Sequence, residues 1–149
     1  MVWGCFSGTS GRGGLYFLPK NVTINADRKI KVLDAHLVDM MHIHCCTTFM
    51  QDGAPCHKAK KVMKWLKDKK INVLEWPGNS PDLNPIENAW NVMKQKIQSQ
   101  PISSLEALKQ QIKNIWVKEM DPAYFEKLAC SMPKRLKMVI KAKGNATKY

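Results

Sequence analysis

The chain has 149 residues, 44% of them hydrophobic, which suits one ordinary domain with a buried core and is too apolar for a disordered chain. Its 24 Lys and Arg against 12 Asp and Glu give a net charge of +12, whose simplest partner is a polyanion such as nucleic acid, with a plain solvated basic surface as the alternative. No run approaches the roughly eighteen apolar residues of a membrane span, and no basic-then-apolar leader opens the chain, so an intracellular protein without membrane or secretory segments is expected.

In chain order, VWGCFS (2–7) and LYFL (15–18) are aromatic and β-branched runs separated by GTSGRGG, which predicts a β-hairpin with a Gly-rich loop. Glycines beside an arginine also suit phosphate, but the Lys-Ser/Thr ending and following helix of a P-loop are missing. After Pro19, Ile30, Leu33, Leu37 and Met41 recur at helical spacing, predicting a helix from Asn25 to Met40 capped by Asn25. The five cysteines (Cys5, Cys45, Cys46, Cys56, Cys130) are an odd number without framework spacing, which favours reduced thiols. His42, His44, Cys45 and Cys46 invite zinc, yet they lack the paired spacing that lets two ligands from one turn reach one ion, so they read as apolar thiols flanking a strand.

In TTFMQDGAPCHKA a short β-prone run ends at Gln51-Asp52 and is cut off by Gly53 and Pro55. A carboxylate at the carboxyl end of a strand, followed by a break and a helix, is where α/β folds expose site residues. Pro55 suits the first turn of a helix running to about Lys69, with Ala59, Val62, Met63 and Leu66 as its buried stripe. Lys60, Lys64 and Lys67 project from its other side, near Lys58, as candidate DNA contacts or as a solvated lysine face. INVLEW (71–76) then predicts a buried strand that closes a strand–helix–strand unit.

WPGNSPDLNPIENAW (76–90) has turn chemistry at Pro77-Gly78 and Ser80-Pro81-Asp82, then a helix start with Asn84 at the cap and Pro85 at the first helical position. Ile86, Trp90, Met93 and Ile97 form the stripe of that helix. Glu87, three residues after the cap, has two readings: the acid of a capping box reaching back to the Asn84 amide, or a carboxylate aimed at Asp52 to hold a hard divalent cation. Beyond Ile97 the chain is mostly helical. Ser103 or Ser104 caps a segment with Leu105, Leu108, Ile112, Ile115 and Trp116 on one face, MDPAY breaks it, and the final basic stretch sets Leu136, Val139 and Ile140 on an apolar stripe that ends near Gly144. Lys134, Arg135, Lys137, Lys141 and Lys143 are phosphate contacts or a solvated basic face.

QDGAPCHKAKKVMKWL, the 34 residues between Asp52 and Glu87, and above all WPGNSPDLNPIENAW resemble the catalytic domain of the Tc/mariner superfamily of DNA transposases. VWGCFS resembles the family's second strand and AKGNATKY its carboxyl terminus, so the resemblance extends over essentially the whole chain. It implies an RNase H-like α/β fold, a mixed sheet flanked by helices, with residues 1–100 as a catalytic domain and 101–149 as a helical, basic extension of it. It also implies an Asp-Asp-Glu/Asp triad holding two Mg2+ (or Mn2+) ions about 3.5–4 Å apart. Asp52 matches the second acid and Glu87 the third, both as catalytic residues and as metal ligands. DNA as partner, work as dimers on paired ends and nuclear localisation are implied likewise, with no small-molecule substrate.

The departures carry expectations of their own. The family's first acid lies on its first, central strand, upstream of the VWGCFS-like strand, as does its helix-turn-helix region, and this chain begins after both. Asp27 and Asp34 match no triad position, Gly53 stands where Asn is usual and Asn79 where Gln is common. A sheet lacking its first strand has unpaired edges on both neighbours, so that it re-forms with a gap, takes its edge from a second chain, or gives a poorly stable product. The chain is therefore expected to be an inactive transposase-derived fragment, with a non-enzymatic DNA-binding or dimerising remnant, or an incomplete gene model, as alternatives.

Overall fold

Asn25 caps the first helix as the sequence predicts, its side chain accepting from the Arg28 amide at 2.9 Å. The computed structural model describes residues 1–8, 11–77, 80–99, 101–145 and 147. In order it contains β1 (Val2–Ser7), β2 (Gly11–Phe17), α1 (Ala26–Ile43), β3 (Thr48–Phe49), α2 (Pro55–Lys58), α3 (Lys60–Asp68) and β4 (Asn72–Val73). A 3-10 turn (Pro81–Leu83) leads into α4 (Pro85–Gln98), followed by α5 (Leu105–Asn114), a π-helical turn (Ile115–Glu119), α6 (Pro122–Cys130) and α7 (Met132–Lys141). Gly78 and Asn79 of the predicted turn, and Thr9 and Ser10 of the Gly-rich stretch, lie outside the described residues.

The chain divides into two units. The first is Met1–Cys5 with Gly13–Ser80, and the second is Phe6–Arg12 with the chain from Pro81 onward. Among the described residues the strands form two separate pairs, the β1–β2 hairpin and a parallel β3–β4 pair that matches Thr48 with Asn72 and Phe49 with Val73. The mixed sheet implied by resemblance is thus present as two pairs that share no strand, and helices supply most of the core. In the first unit, Leu33, Leu37, Met40 and Met41 of α1 pack with Cys5, Phe49, Val62 and Leu66.

Several elements are shorter than their sequence patterns. The expected strand over 71–76 pairs only at Asn72–Val73, with Leu74 45% exposed. The expected helix from Pro55 to Lys69 breaks at Ala59, whose ψ of 131° is extended, so Ala59 ends one helix and starts the next. Within the second of these helices Met63 is 40% exposed, while Val62 and Leu66 are fully buried. The Gly-rich stretch is strand from Gly11 onward and serves packing rather than phosphate. Gly11 has φ +98°, and a Cβ there would come within 2.9 Å of the Pro122 Cβ, so in the second unit only glycine lets this strand lie on α6.

The second unit is organised on aromatic rings. Trp116, 1% exposed, stacks on Trp90 at 5.4 Å and meets Phe125 edge-on at 5.0 Å, and Phe125 also packs on Phe6 at 5.2 Å. Ser104 caps α5 by accepting from the Ala107 amide at 3.1 Å. Leu105, placed by periodicity on the apolar face, is 51% exposed. The π-helical turn, closed by the Met120 amide on the Ile115 carbonyl at 2.9 Å, keeps Ile115 and Trp116 buried together.

One buried residue in the first unit has an unusual type. Lys29 lies one helical turn before Val32 and Leu33, so α1 carries it into the core, where it is 1% exposed with Nζ 5.4 Å from the Trp3 ring centroid. Burial pushes its pKa down from 10.5 to about 8, against Cys56, Asp52 and Cys5, which favour the charged form. The folded state is therefore the poorer proton binder between about pH 8 and 10.5, so this lysine makes stability rise with pH there. Cys5, pushed up from 9.0 to about 12 by its own burial, erodes stability as pH climbs above 9. Lys29→Met removes the lysine's contribution together with the pull of its charge on Cys5 and His57. Urea midpoints should show the variant more stable than the wild type at neutral pH, with the gap closing by up to about 1.4 kcal/mol per pH unit through the lysine window. Parallel pH profiles would overturn this account.

Candidate functional site

Asp52 follows the end of β3 and stands just before α2, as the sequence pattern requires. Its Oδ1 accepts from the Ala54 amide at 3.0 Å and lies 2.6 Å from Nδ1 of His57. The Asp52 side chain is 49% exposed and that of His57 16%, so the pair is half in the protein and half at its surface. Pro55 at the start of α2 sets the turn that brings His57 back over Asp52. Burial, then the positive charge of Lys29, holds the His57 pKa below its ordinary value, while Asp52 pulls it upward. His57 is accordingly neutral at pH 7. With a carboxylate facing it, Nδ1 carries the proton and donates to Asp52.

Neither His57 nor Lys29 was among the sequence candidates. Both had a signal: a histidine in the first turn after a proline-started helix, five residues from the acid, and a lysine at an apolar-stripe position of α1. Asp27 and Asp34, matched to no triad position, instead face Lys61 and, at 3.1 Å, Lys69. These are exposed pairs of small energetic weight.

Glu87 sits in the first turn of α4, within the second unit, and is partly buried. The capping box would require its carboxylate on the Asn84 amide, but that amide donates to the Pro81 carbonyl at 3.0 Å. Asn84 itself caps the helix, its Oδ1 accepting from the Ile86 amide at 3.4 Å, and Pro85 occupies the first helical position. The cap is complete without Glu87, and its carboxylate makes no hydrogen bond among the described residues. Asp82 is held as well: its Oδ2 accepts from the Thr147 amide at 2.9 Å and hydroxyl at 2.8 Å, which lowers its pKa.

The lysines proposed to meet DNA are all exposed: Lys58, Lys60, Lys64 and Lys67 in the first unit, Lys134, Lys137 and Lys141 in the second. Arg135 departs from that expectation. It is 2% exposed, and its guanidinium donates from Nε to Ser131 Oγ at 2.7 Å, from Nη1 to the Asp82 carbonyl at 2.9 Å and from Nη2 to Asn88 Oδ1 at 2.8 Å. A guanidinium so enclosed is spoken for and makes no phosphate contact here. The apolar stripe assigned to the same helix is displaced to match, with Leu136 47% and Ile140 77% exposed, because α7 turns its arginine inward.

Carboxylates are the donor type that Mg2+ and Mn2+ prefer, so Asp52 and Glu87 suit such ions in kind. Among the described residues no group of three or more His, Cys, Asp or Glu side chains converges on a point that would hold a metal. This applies equally to His42, His44, Cys45 and Cys46, where Cys45 is exposed and the Cys46 thiol lies 3.7 Å from the His44 carbonyl. Two outcomes follow from the local geometry. Asn84→Ala should cost about 0.5–2 kcal/mol, whereas Glu87→Gln should change stability by less than about 0.5 kcal/mol; equal losses in urea unfolding would restore the capping role. Asp52→Asn should move the His57 titration, followed by NMR, to still lower pH, since the carboxylate is what raises it; an upward move would contradict the pairing.

The profile described as DDE superfamily endonuclease matches residues 4–109, a span that includes Asp52 and Glu87. The Tcb1 transposable-element transposase of Caenorhabditis briggsae is 35% identical over 153 residues, covering 100% of this chain and 54% of its own length. The Tc1 transposase of Caenorhabditis elegans is 34% identical over 149 residues with the same coverage of each, 100% and 54%, so the chain spans about half the length of the curated relatives it matches. The catalytic domain of Mos1 mariner transposase superposes with a TM-score of 0.84 at 22% identity over 94% of this chain and 72% of that domain, which shows the RNase H-like fold. A Mos1 strand transfer complex gives the same TM-score of 0.84 at 23% identity, over 94% of this chain and 42% of that one. The chain belongs to the DDE superfamily endonuclease family, among the transposases of the Tc/mariner type.

Proposed function

We propose that this chain is a DDE endonuclease and strand-transfer domain by ancestry, with Asp52 and Glu87 as the family's second and third acids, and that in this 149-residue form it binds DNA without cutting it. The observation that carries the reading is Glu87: a carboxylate in the first turn of α4 with no hydrogen-bonding duty in the helix cap, inside a sequence that matches the family. A divalent-ion pair, when bound to a full set of acids, would activate a nucleophile and stabilise the leaving oxygen. Among the described residues no group of three such side chains converges, so metal affinity is weak and the reacting groups are poorly aligned, and a misplacement of about 1 Å alone costs roughly a hundredfold in rate.

What the chain's own residues supply is orientation and charge. His57 fixes one oxygen of Asp52 by donating from Nδ1 to Oδ1, which the Ala54 amide also holds. Lys58, Lys60, Lys64 and Lys67, with Lys134, Lys137 and Lys141, meet the phosphate backbone, and their exposure together with the net charge of +12 supports that role. Mos1 has been captured in paired-end complexes; by analogy, this chain works as a homodimer on DNA, in the nucleus.

Titration against duplex DNA should show binding that weakens steeply with salt, and replacing Lys60, Lys64 and Lys67 by Ala should reduce the log–log salt slope by roughly 1 for each phosphate contact removed. Supercoiled plasmid with Mg2+ should remain uncut. Nicking that disappears in Asp52→Ala would overturn the inactivity, and absence of binding at low salt would overturn the DNA reading.

A further inference from the structure

Arg135 was expected at the surface and is found inside the second unit, and the two groups it reaches there stand on either side of Glu87 in the chain. Its Nη1 holds the carbonyl of Asp82, in the 3-10 turn before α4, and its Nη2 holds Oδ1 of Asn88, the residue after Glu87. The fork is itself anchored, because Nε donates to Ser131 Oγ, which in turn donates to the Leu128 carbonyl at 2.5 Å. A planar guanidinium with donors at fixed angles can bridge a backbone oxygen and a side-chain amide in this way, and a lysine, with one nitrogen on a flexible stem, cannot. Thr147 holds the same turn by a separate route, through Asp82 Oδ2.

We propose that Arg135 is the positioning residue of Glu87: by tying residue 82 to residue 88 it fixes the turn and the first turn of α4 as one rigid mount, so that the acid's direction is set by the carboxyl-terminal helix α7. The proposal rests on the reading of Glu87 as a metal-directed acid for its purpose, but the mechanical part stands alone. The Glu87 carboxylate has no hydrogen bond among the described residues, while its amide donates to the Asn84 carbonyl at 3.1 Å, so the backbone is what directs it; Arg135, buried, braces that segment through the Asp82 carbonyl on one side and the Asn88 side chain on the other.

Arg135→Lys, in the 149-residue chain, keeps the charge and removes the fork; Asn88→Ala is the milder variant, leaving the arginine in place with its bonds to Ser131 and Asp82. Amide hydrogen exchange across residues 83–88 should accelerate by tenfold or more in both variants, with exchange in α1 and α3 unchanged, while the salt slope of DNA binding stays at the wild-type value. The increase in melting temperature caused by Mn2+ should fall in both variants by a larger fraction than the melting temperature of the metal-free protein. Unchanged exchange at 83–88 in Asn88→Ala, or a DNA salt slope lowered by Arg135→Lys as by an exposed lysine, would overturn the proposal. A wild-type chain that gives no Mn2+ response would instead overturn the metal reading of Glu87, leaving the exchange result to decide the brace.

Discussion

Burying a full positive charge costs several kcal/mol unless every polar hydrogen finds an acceptor, and among the described residues each unit contains one such charge, Lys29 in the first and Arg135 in the second. The two are handled differently. Arg135 is satisfied by oxygen acceptors placed around a planar fork, so the cation organises its surroundings. Lys29 faces an aromatic ring and thiols, and burial shifts its equilibrium toward the neutral amine instead. The arginine therefore fixes local structure, and the lysine leaves the first unit sensitive to proton concentration. Lys29 lies near Asp52, and Arg135 holds the residues on either side of Glu87.

The strand content explains why helices matter so much. With β3 and β4 paired over two residues each, backbone hydrogen bonding between strands contributes little in this region. The cohesion of the first unit comes from α1 laying Leu33, Leu37, Met40 and Met41 against α3 and the strands, and that of the second comes from the Trp90, Trp116 and Phe125 rings. Such contacts are nondirectional and tolerate the short strands, whereas a sheet of this fold cannot lose a strand without leaving donors and acceptors exposed at its edges.

Much of this was legible in the sequence because it is local. Asn25, Asn84 and Ser104 announced three helix starts through cap chemistry, and each side chain accepts the amide expected of it. Asp52 and Glu87 were found by motif, which is a longer-range signal of shared ancestry. What escaped was set by tertiary contact. The break at Ala59 has no residue-level punctuation, since alanine is a good helix former, and the rotation of α7 contradicts its own apolar periodicity because the acceptors that draw Arg135 inward lie some fifty residues earlier. The capping-box reading of Glu87 failed for a similar reason: the spacing from Asn84 is right, but the amide it would serve is already taken by Pro81.

That last detail reaches beyond geometry. In a helix start built as a capping box, an acid is policed by folding, and a copy that loses it is cleared as unstable. Here the cap is assembled from Asn84, Pro85 and the Pro81 carbonyl, so the codon for Glu87 can drift without the fold registering the change. The architecture at this position is therefore separable from whatever the carboxylate does: the helix start holds whether or not the acid is kept.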